Sequence, residues 1–278
     1  MRVTTFPPRL HVLLARDAPL GVVIRRGPSD RVATLLWHRQ RDTFELGQWL
    51  KGRLYERRCD LSPSGTHLLY FAMNGQWKSE SRGSWTAISR APYLRAIAFF
   101  PKGDCWHGGG LFTGARRYWL NDGYGHSILR DTEEVTRDRD HRPDPTYGGE
   151  CPGVYYHRLT RDGWTFESHR KSGPWTSVDH FERPLLHGYR LRKIAHAEFA
   201  RIPGKGCYWD EHIVIEPDGT ERPEPDWEWA ELDGARVVFA KKGALYAQRF
   251  DCKGRLAAPT LLFDFAPMTF EARVAPYT

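Results

Sequence analysis

The sequence predicts an all-β chain built from repeated small sheets, and three observations carry that prediction. First, 26 Gly and 19 Pro among 278 residues imply many turns and short strands. Second, the first fifty residues alternate short apolar runs with turns, and no window there shows apolar residues at the spacing of an amphipathic helix. Third, turn signals recur at near-constant distance. Pro63-x-Gly65 and Pro101-x-Gly103 are 38 residues apart, and Gly47-x-Trp49 and Gly83-x-Trp85 are 36 apart.

In chain order, strands are expected at His11–Ala15, Gly21–Arg25 and Val32–Trp37, with a turn at Gly27-Pro28-Ser29-Asp30, then at Thr43–Leu46. Cys59 to Ala72 reads as strand, tight turn at Ser62-Pro63-Ser64-Gly65, and a second strand apolar almost throughout. Asn74-Gly75 marks the next turn, Tyr93–Phe100 the next strand, and Cys105 begins another after Pro101-Lys102-Gly103. Later copies are more worn. Arg161-Asp162-Gly163 separates expected strands at Val154–Leu159 and Trp164–Ser168; Gly173-Pro174-Trp175-Thr176 repeats Gly83-Ser84-Trp85-Thr86. Ile202-Pro203-Gly204-Lys205-Gly206 resembles Phe100-Pro101-Lys102-Gly103. Ala235–Ala240 and Ala244–Phe250 form the last clear pair, and Leu261–Phe265 and Thr269–Val274 are placed to close a ring. The cysteines, at 59, 105, 151, 207 and 252, are almost evenly spaced, but they stand on different sides of their turns and do not mark the repeat.

A unit of 35 to 50 residues made of several short strands is the signature of propeller blades, which bury their faces only by stacking. The expected architecture is one β-propeller of five or six four-stranded blades over residues 1–278, its blade contacts filled by large rings such as the 11 Trp. Asn121 to Glu150 breaks the rhythm. It is polar, rich in both charge signs, too long for an ordinary connection, and reads as an insertion on one face at about 121–150.

Leu61-Ser62-Pro63-Ser64-Gly65-Thr66-His67-Leu68-Leu69-Tyr70-Phe71 resembles the S-P-D-G strand-turn-strand signature of TolB-like and related WD40-type propellers, with Ser64 where those families carry Asp. Tyr55 through Phe71 is also similar to uncharacterised bacterial proteins of comparable length. The Trp-Asp dipeptide occurs at Trp209-Asp210. The resemblance implies a propeller, a fold that most often serves as a platform for other macromolecules.

Composition bounds the partners. Lys and Arg number 41 against 34 Asp and Glu, for a net charge of +7. The cations fall in scattered pairs with acids nearby, so a mixed solvated surface is expected and nucleic acid is disfavoured. Val12 to Ala15 is too short for a signal-peptide core or a membrane span, and five Cys without a C-x-x-C suit a cytoplasmic protein with free, mostly buried thiols.

Most catalytic signatures are absent: there is no G-x-S-x-G, H-E-x-x-H, phosphate loop or complete G-x-G-x-x-G. No cofactor and no metal site is expected. His107-Gly108-Gly109-Gly110 resembles an esterase oxyanion loop, but without a nucleophile it reads better as a strand break where backbones approach closely. Cys105 with His107 is a weak thiolate–imidazole candidate. A glycoside hydrolase would need two carboxylates, and Asp17, Glu56, Asp60 and Glu198 are the candidates, each equally explained as partner to a nearby cation. Glu56-Arg57-Arg58-Cys59-Asp60 is the strongest cluster, either a ligand site suited to carboxylate or phosphate or a network fixing blade register. Glu56, Arg57, Arg58, Asp60, Asp104, Trp106 and His107 are the expected ligand-binding residues. The function expected is a binding or scaffold module for a protein partner, an anionic small molecule or a carbohydrate; the alternative is a carbohydrate hydrolase.

Overall fold

The computed structural model describes residues 6–27, 30–123, 125–173, 176–198 and 205–278. Pro28 and Ser29, Pro174 and Trp175, and Ile202-Pro203-Gly204, all part of expected turns, lie outside the described residues. The chain divides into two compact units, a larger one of His11–Arg158 with Thr269–Thr278, and a smaller one of Leu159–Met268 with the residues up to Leu10.

The larger unit holds three sheets. β1 (Arg9–Leu14), β2 (Leu20–Arg26), β3 (Arg31–His38) and β4 (Thr43–Lys51) form a meander in sequence order. The second sheet contains β5 (Arg53–Leu54), β6 (Asp60–Leu61), β7 (His67–Met73), β8 (Ser84–Arg90) and β9 (Ala96–Pro101), with β5 and β6 both pairing β7. The third is β10 (Gly110–Phe112), β11 (Arg117–Leu120) and β12 (Thr136–Arg137), the last pairing parallel to β11.

The middle sheet explains why β7 is apolar almost throughout. Leu68, Tyr70, Ala72 and Ala87 pack into a core with Val22, Ile24 and Val32 of the first sheet. Leu69, Ile88, Ala98 and Phe100 pack into another with Phe112, Tyr118 and Leu120 of the third. A strand covered on both faces loses the alternation of a half-exposed one. Its leading turn closes as expected: Gly65 has φ +77° and its N–H donates to Ser62 O at 2.8 Å. The buried Ser62 hydroxyl accepts from the N–H groups of Thr66 and His67.

Gly47, expected to follow a strand, lies inside β4, where the register with β3 shifts. A Cβ there would stand 2.4 Å from the Pro92 carbonyl oxygen. The neighbouring Gln48 amide accepts from the N–H groups of Leu94 and Arg95 and donates to Arg273 O, joining two sheets to the C-terminal segment. Thr269–Val274 forms no strand. It is held by that bond and by Phe270, which lies beneath the Arg31 guanidinium and edge-on to Trp49.

Residues 152–161 form a helix, α1 (Pro152–Arg161), where a strand over Val154–Leu159 was expected. Adjacent Val-Tyr-Tyr suggests a strand, but Cys151, Val154, Tyr155, Arg158 and Leu159 are buried at helical spacing, with Gly153 and Tyr156 buried beside them, and Pro152 suits a first turn. The fold is therefore mostly β with one α-helix among the described residues. Cys105 likewise begins no strand; the chain stays irregular until Gly110.

The smaller unit holds two sheets. β13 (Thr165–Gly173), β14 (Thr176–Pro184), β15 (Arg190–Glu198), β16 (Tyr208–Ile215) and β17 (Glu221–Pro223) form one meander, and β18 (Trp227–Asp233), β19 (Arg236–Lys241), β20 (Ala244–Arg249) and β21 (Thr260–Asp264) another. They meet through polar groups as well as rings. The Trp164 indole donates to both Glu231 oxygens, Arg183 pairs with the same carboxylate, and Lys193 sits 4.3 Å over the Trp164 ring. Among the described residues the sheets number five, of three to five strands, antiparallel except at β11–β12.

Leu69 is fully buried between the second and third sheets. Leu69→Ala is expected to lower unfolding free energy by about 2–5 kcal/mol, measured by urea denaturation; a loss of less than about 1 kcal/mol would contradict the two-sided burial of β7.

Candidate functional site

The Glu56–Asp60 cluster begins in a single turn of 3-10 helix, Glu56–Arg58, between β5 and β6. The turn closes by the Arg58 N–H donating to Tyr55 O at 2.7 Å. It points Arg58 inward, where its side chain is 1% exposed. A guanidinium so removed from water needs acceptors within the protein. Nη1 donates to Cys105 O at 2.7 Å and to His107 O, and Nη2 pairs with Glu150. The rings of Tyr55 and Phe71 flank it at 5.1 and 5.2 Å.

Three more arginines complete the network. Arg158 of α1 donates to Glu56 O and Cys59 O, and its Nη2 stands 2.7 Å from His11 Nε2. A guanidinium only donates, so His11 accepts there and carries its proton on Nδ1. Arg57 pairs with Glu56 and lies 5.3 Å over the Tyr155 ring. Glu56 also pairs with Arg26. Burial alone would raise the Glu56 carboxyl, but the adjacent Arg26 and Arg57 outweigh it and hold the group below its ordinary range. Asp60, 2% exposed, accepts from the Phe112 N–H at 2.7 Å.

The glycine run answers the same geometry. His107, Gly108 and Gly109 have φ of +57°, +90° and +77°. A Cβ on Gly108 would meet the Phe71 ring at 2.3 Å, and one on Gly109 would meet Arg58 O at 2.0 Å. Their amides are used internally: Gly108 N–H donates to Asn121 O and Gly109 N–H to the Thr86 hydroxyl. An oxyanion hole needs such donors aimed at a substrate, and these are aimed at the protein.

The 121–150 segment is drawn onto the same place. Asn121 donates to Gly108 O and Gly149 O, and the His107 ring fills the space a Cβ would take at Gly123 or Gly149. Midway, Phe99 and Arg130 form a bridge along the edge of β9, and Asp138 accepts from Thr113 and Arg117.

Asp104 and Trp106 share the His107 loop but turn outward. Asp104 pairs with the buried Lys102 amine at 2.8 Å, and Trp106 is 54% exposed. Asp17 lies exposed in the β1–β2 loop, its N–H donating to Pro63 O. Glu198 ends β15 in the smaller unit. The structure therefore gathers Glu56, Arg57, Arg58, Asp60 and His107, leaves Asp104 and Trp106 on the rim, and places Asp17 in a surface loop.

Sequence reading missed Glu150, Arg158, His11, Arg26 and Asn121. Arg158 was legible from the i, i+3 and i+4 spacing of α1; the others carry no local signal. The thiols divide differently from expectation. Cys59 and Cys151 are buried, whereas Cys105, Cys207 and Cys252 are exposed. Burial pushes the Cys59 thiol up to about 12 and raises Cys151 as well, so neither is disposed to act as a thiolate. Among the described residues no group of three or more His, Cys, Asp or Glu is placed to hold a metal ion.

No protein-family model and no curated protein matches the chain. Among solved structures, Kuenenia stuttgartiensis hydrazine synthase is similar over 90% of this chain and 79% of that one, at 8% sequence identity and a TM-score of 0.31. At that score the likeness carries no argument for fold or chemistry.

Two measurements test the site. Arg58→Met leaves Glu150 and two inward carbonyls without their cation, and is expected to cost about 3–5 kcal/mol in chemical denaturation; a cost below about 1 kcal/mol would show the network to be dispensable. Burial, with Lys102 nearby, pushes the His126 imidazole, which lies 3.2 Å from the Thr86 hydroxyl that receives the Gly109 N–H, from 6.5 down to about 4. The unfolded chain binds this proton more readily, so the contribution is complete above pH 6.5 and is lost as pH falls towards 4. His126→Asn is expected to flatten the stability profile across that window, and an unchanged slope would refute the assignment.

Proposed function

We propose that the chain is a non-catalytic β-propeller acting as a binding module, with its ligand surface formed by the Pro101–His107 loop and the adjoining 121–150 segment. Successive antiparallel meanders, and a middle sheet packed on both faces, support the propeller reading. One observation carries the non-catalytic part: both carboxylates of the strongest cluster are committed within the protein. Glu56 is held ionised by Arg26 and Arg57, which disqualifies it as a general acid near neutral pH. Asp60 is buried and bonded to a backbone amide.

The hydrolase alternative fails or survives on a direct assay. No turnover is expected on a panel of aryl glycosides and soluble polysaccharides; turnover abolished by Glu56→Gln or Asp60→Asn would overturn the non-catalytic reading. Ring closure has its own test. Sheets closed into one ring are expected to melt in a single calorimetric transition with equal calorimetric and van't Hoff enthalpies, while two resolved transitions would count against closure.

A further inference from the structure

The β7–β8 connection is an ordered loop, although it has no regular strand. Asn74 N–H and Gly75 N–H both donate to Gly83 O, Ser79 N–H donates to Gln76 O, and Arg82 N–H donates to Ser79 O. On this frame the Trp77 indole rests against Gly83, where a Cβ would come within 2.4 Å of the ring. The indole is thus seated on a backbone that only glycine provides, and it remains 54% exposed. A large ring fixed from one side and open on the other loses little freedom when something stacks on it.

A second exposed ring is carried by a loop tied to the same end of the sheet. Ser84, next to Gly83, accepts from Gly103 N–H at 3.0 Å and donates to Asp104 O at 2.6 Å. Asp104 Oδ1 in turn accepts from the N–H of Trp106, whose side chain is also 54% exposed. Ser84 therefore ties the two tryptophan-bearing loops to one end of the second sheet. Of the charges in these loops, the buried Lys102 pairs with Asp104, and Glu80 offsets one of Lys78 and Arg82, leaving a single excess cation.

We propose that Trp77 and Trp106 form a stacking platform for the sugar rings of a neutral polysaccharide. The C–H face of a pyranose carries slight positive charge and matches the electron-rich face of an indole. A single excess cation is no basic groove, and this favours a neutral polar ligand over single-stranded nucleic acid, which needs such a groove beside its stacking rings. This deepens the binding-module reading and rests on it.

Affinity electrophoresis of the full chain through gels containing hydroxyethyl cellulose, laminarin, arabinoxylan or galactomannan tests it, with polygalacturonate gels and labelled (dT)20 as anionic arms. Retardation by at least one neutral polysaccharide is expected, weakened about tenfold or more in Trp77→Ala and in Trp106→Ala. It should be kept in Leu261→Ala, an exposed residue of β21, with all variants checked for unchanged melting temperature. No retardation by any neutral polysaccharide, binding to the anionic arms alone, or retardation indifferent to both tryptophans would overturn the platform. Binding of a protein partner without any polysaccharide would sink the platform and leave the module reading intact. Hydrolysis of a bound polysaccharide would do the reverse.

Discussion

A guanidinium shut away from water dictates much of the larger unit. Arg58 can be buried only if acceptors surround it, and two of its acceptors are main-chain carbonyls of the Cys105–His107 loop. Turning both inward forces the chain through positive φ at His107, Gly108 and Gly109. Glycine follows at the last two positions because Phe71 and the Arg58 backbone already occupy the space of a side chain. Another acceptor, Glu150, comes from the far end of a long polar segment and fixes where that segment returns. A run that looks like an oxyanion loop is thus the imprint of one arginine. Removing such a charge's partners costs more than the pair ever contributed, because the desolvation remains.

The readability of this architecture from sequence followed the range of the forces involved. Turns were legible because their chemistry is local: Gly65 needs positive φ and Ser62 caps its own turn. The apolar run of β7 was legible as a strand, and its two-sided burial was implicit in the absence of alternation. Val154–Leu159 misled because adjacent residues of high β preference outweighed a helical period that spans only ten positions. Gly47 misled for another reason, since its role depends on Pro92 approaching from a distant part of the chain.

The site was half legible on the same grounds. Glu56 to Asp60 stood out because charge clustered where strand residues were expected. That Glu56 answers to Arg26, Arg58 to Glu150 and Arg158 to His11 is a product of tertiary structure, separated by tens of residues. Trp106 and Asp104 adjoin His107 in sequence, yet they turn outward while the His107 ring is clasped between two glycines. Chemistry-bearing residues in one short segment can therefore serve opposite purposes, one set holding the scaffold and the other presented by it.

β7 and β13 differ in a way that bears on how the chain can be altered. All seven residues of β7 are buried or half-buried, with neighbours on both sides of its sheet. It offers no neutral face, and a change on one side is felt through the sheet on the other. β13 is the edge strand of its sheet, and eight of its nine residues are exposed. Mutational freedom is accordingly greatest on such edge strands; β21, at the edge of its own sheet, has four of its five residues exposed. A library of surface variants, an epitope tag or a spectroscopic label is best carried by β13, whereas β7 is where sequence drift is most tightly confined.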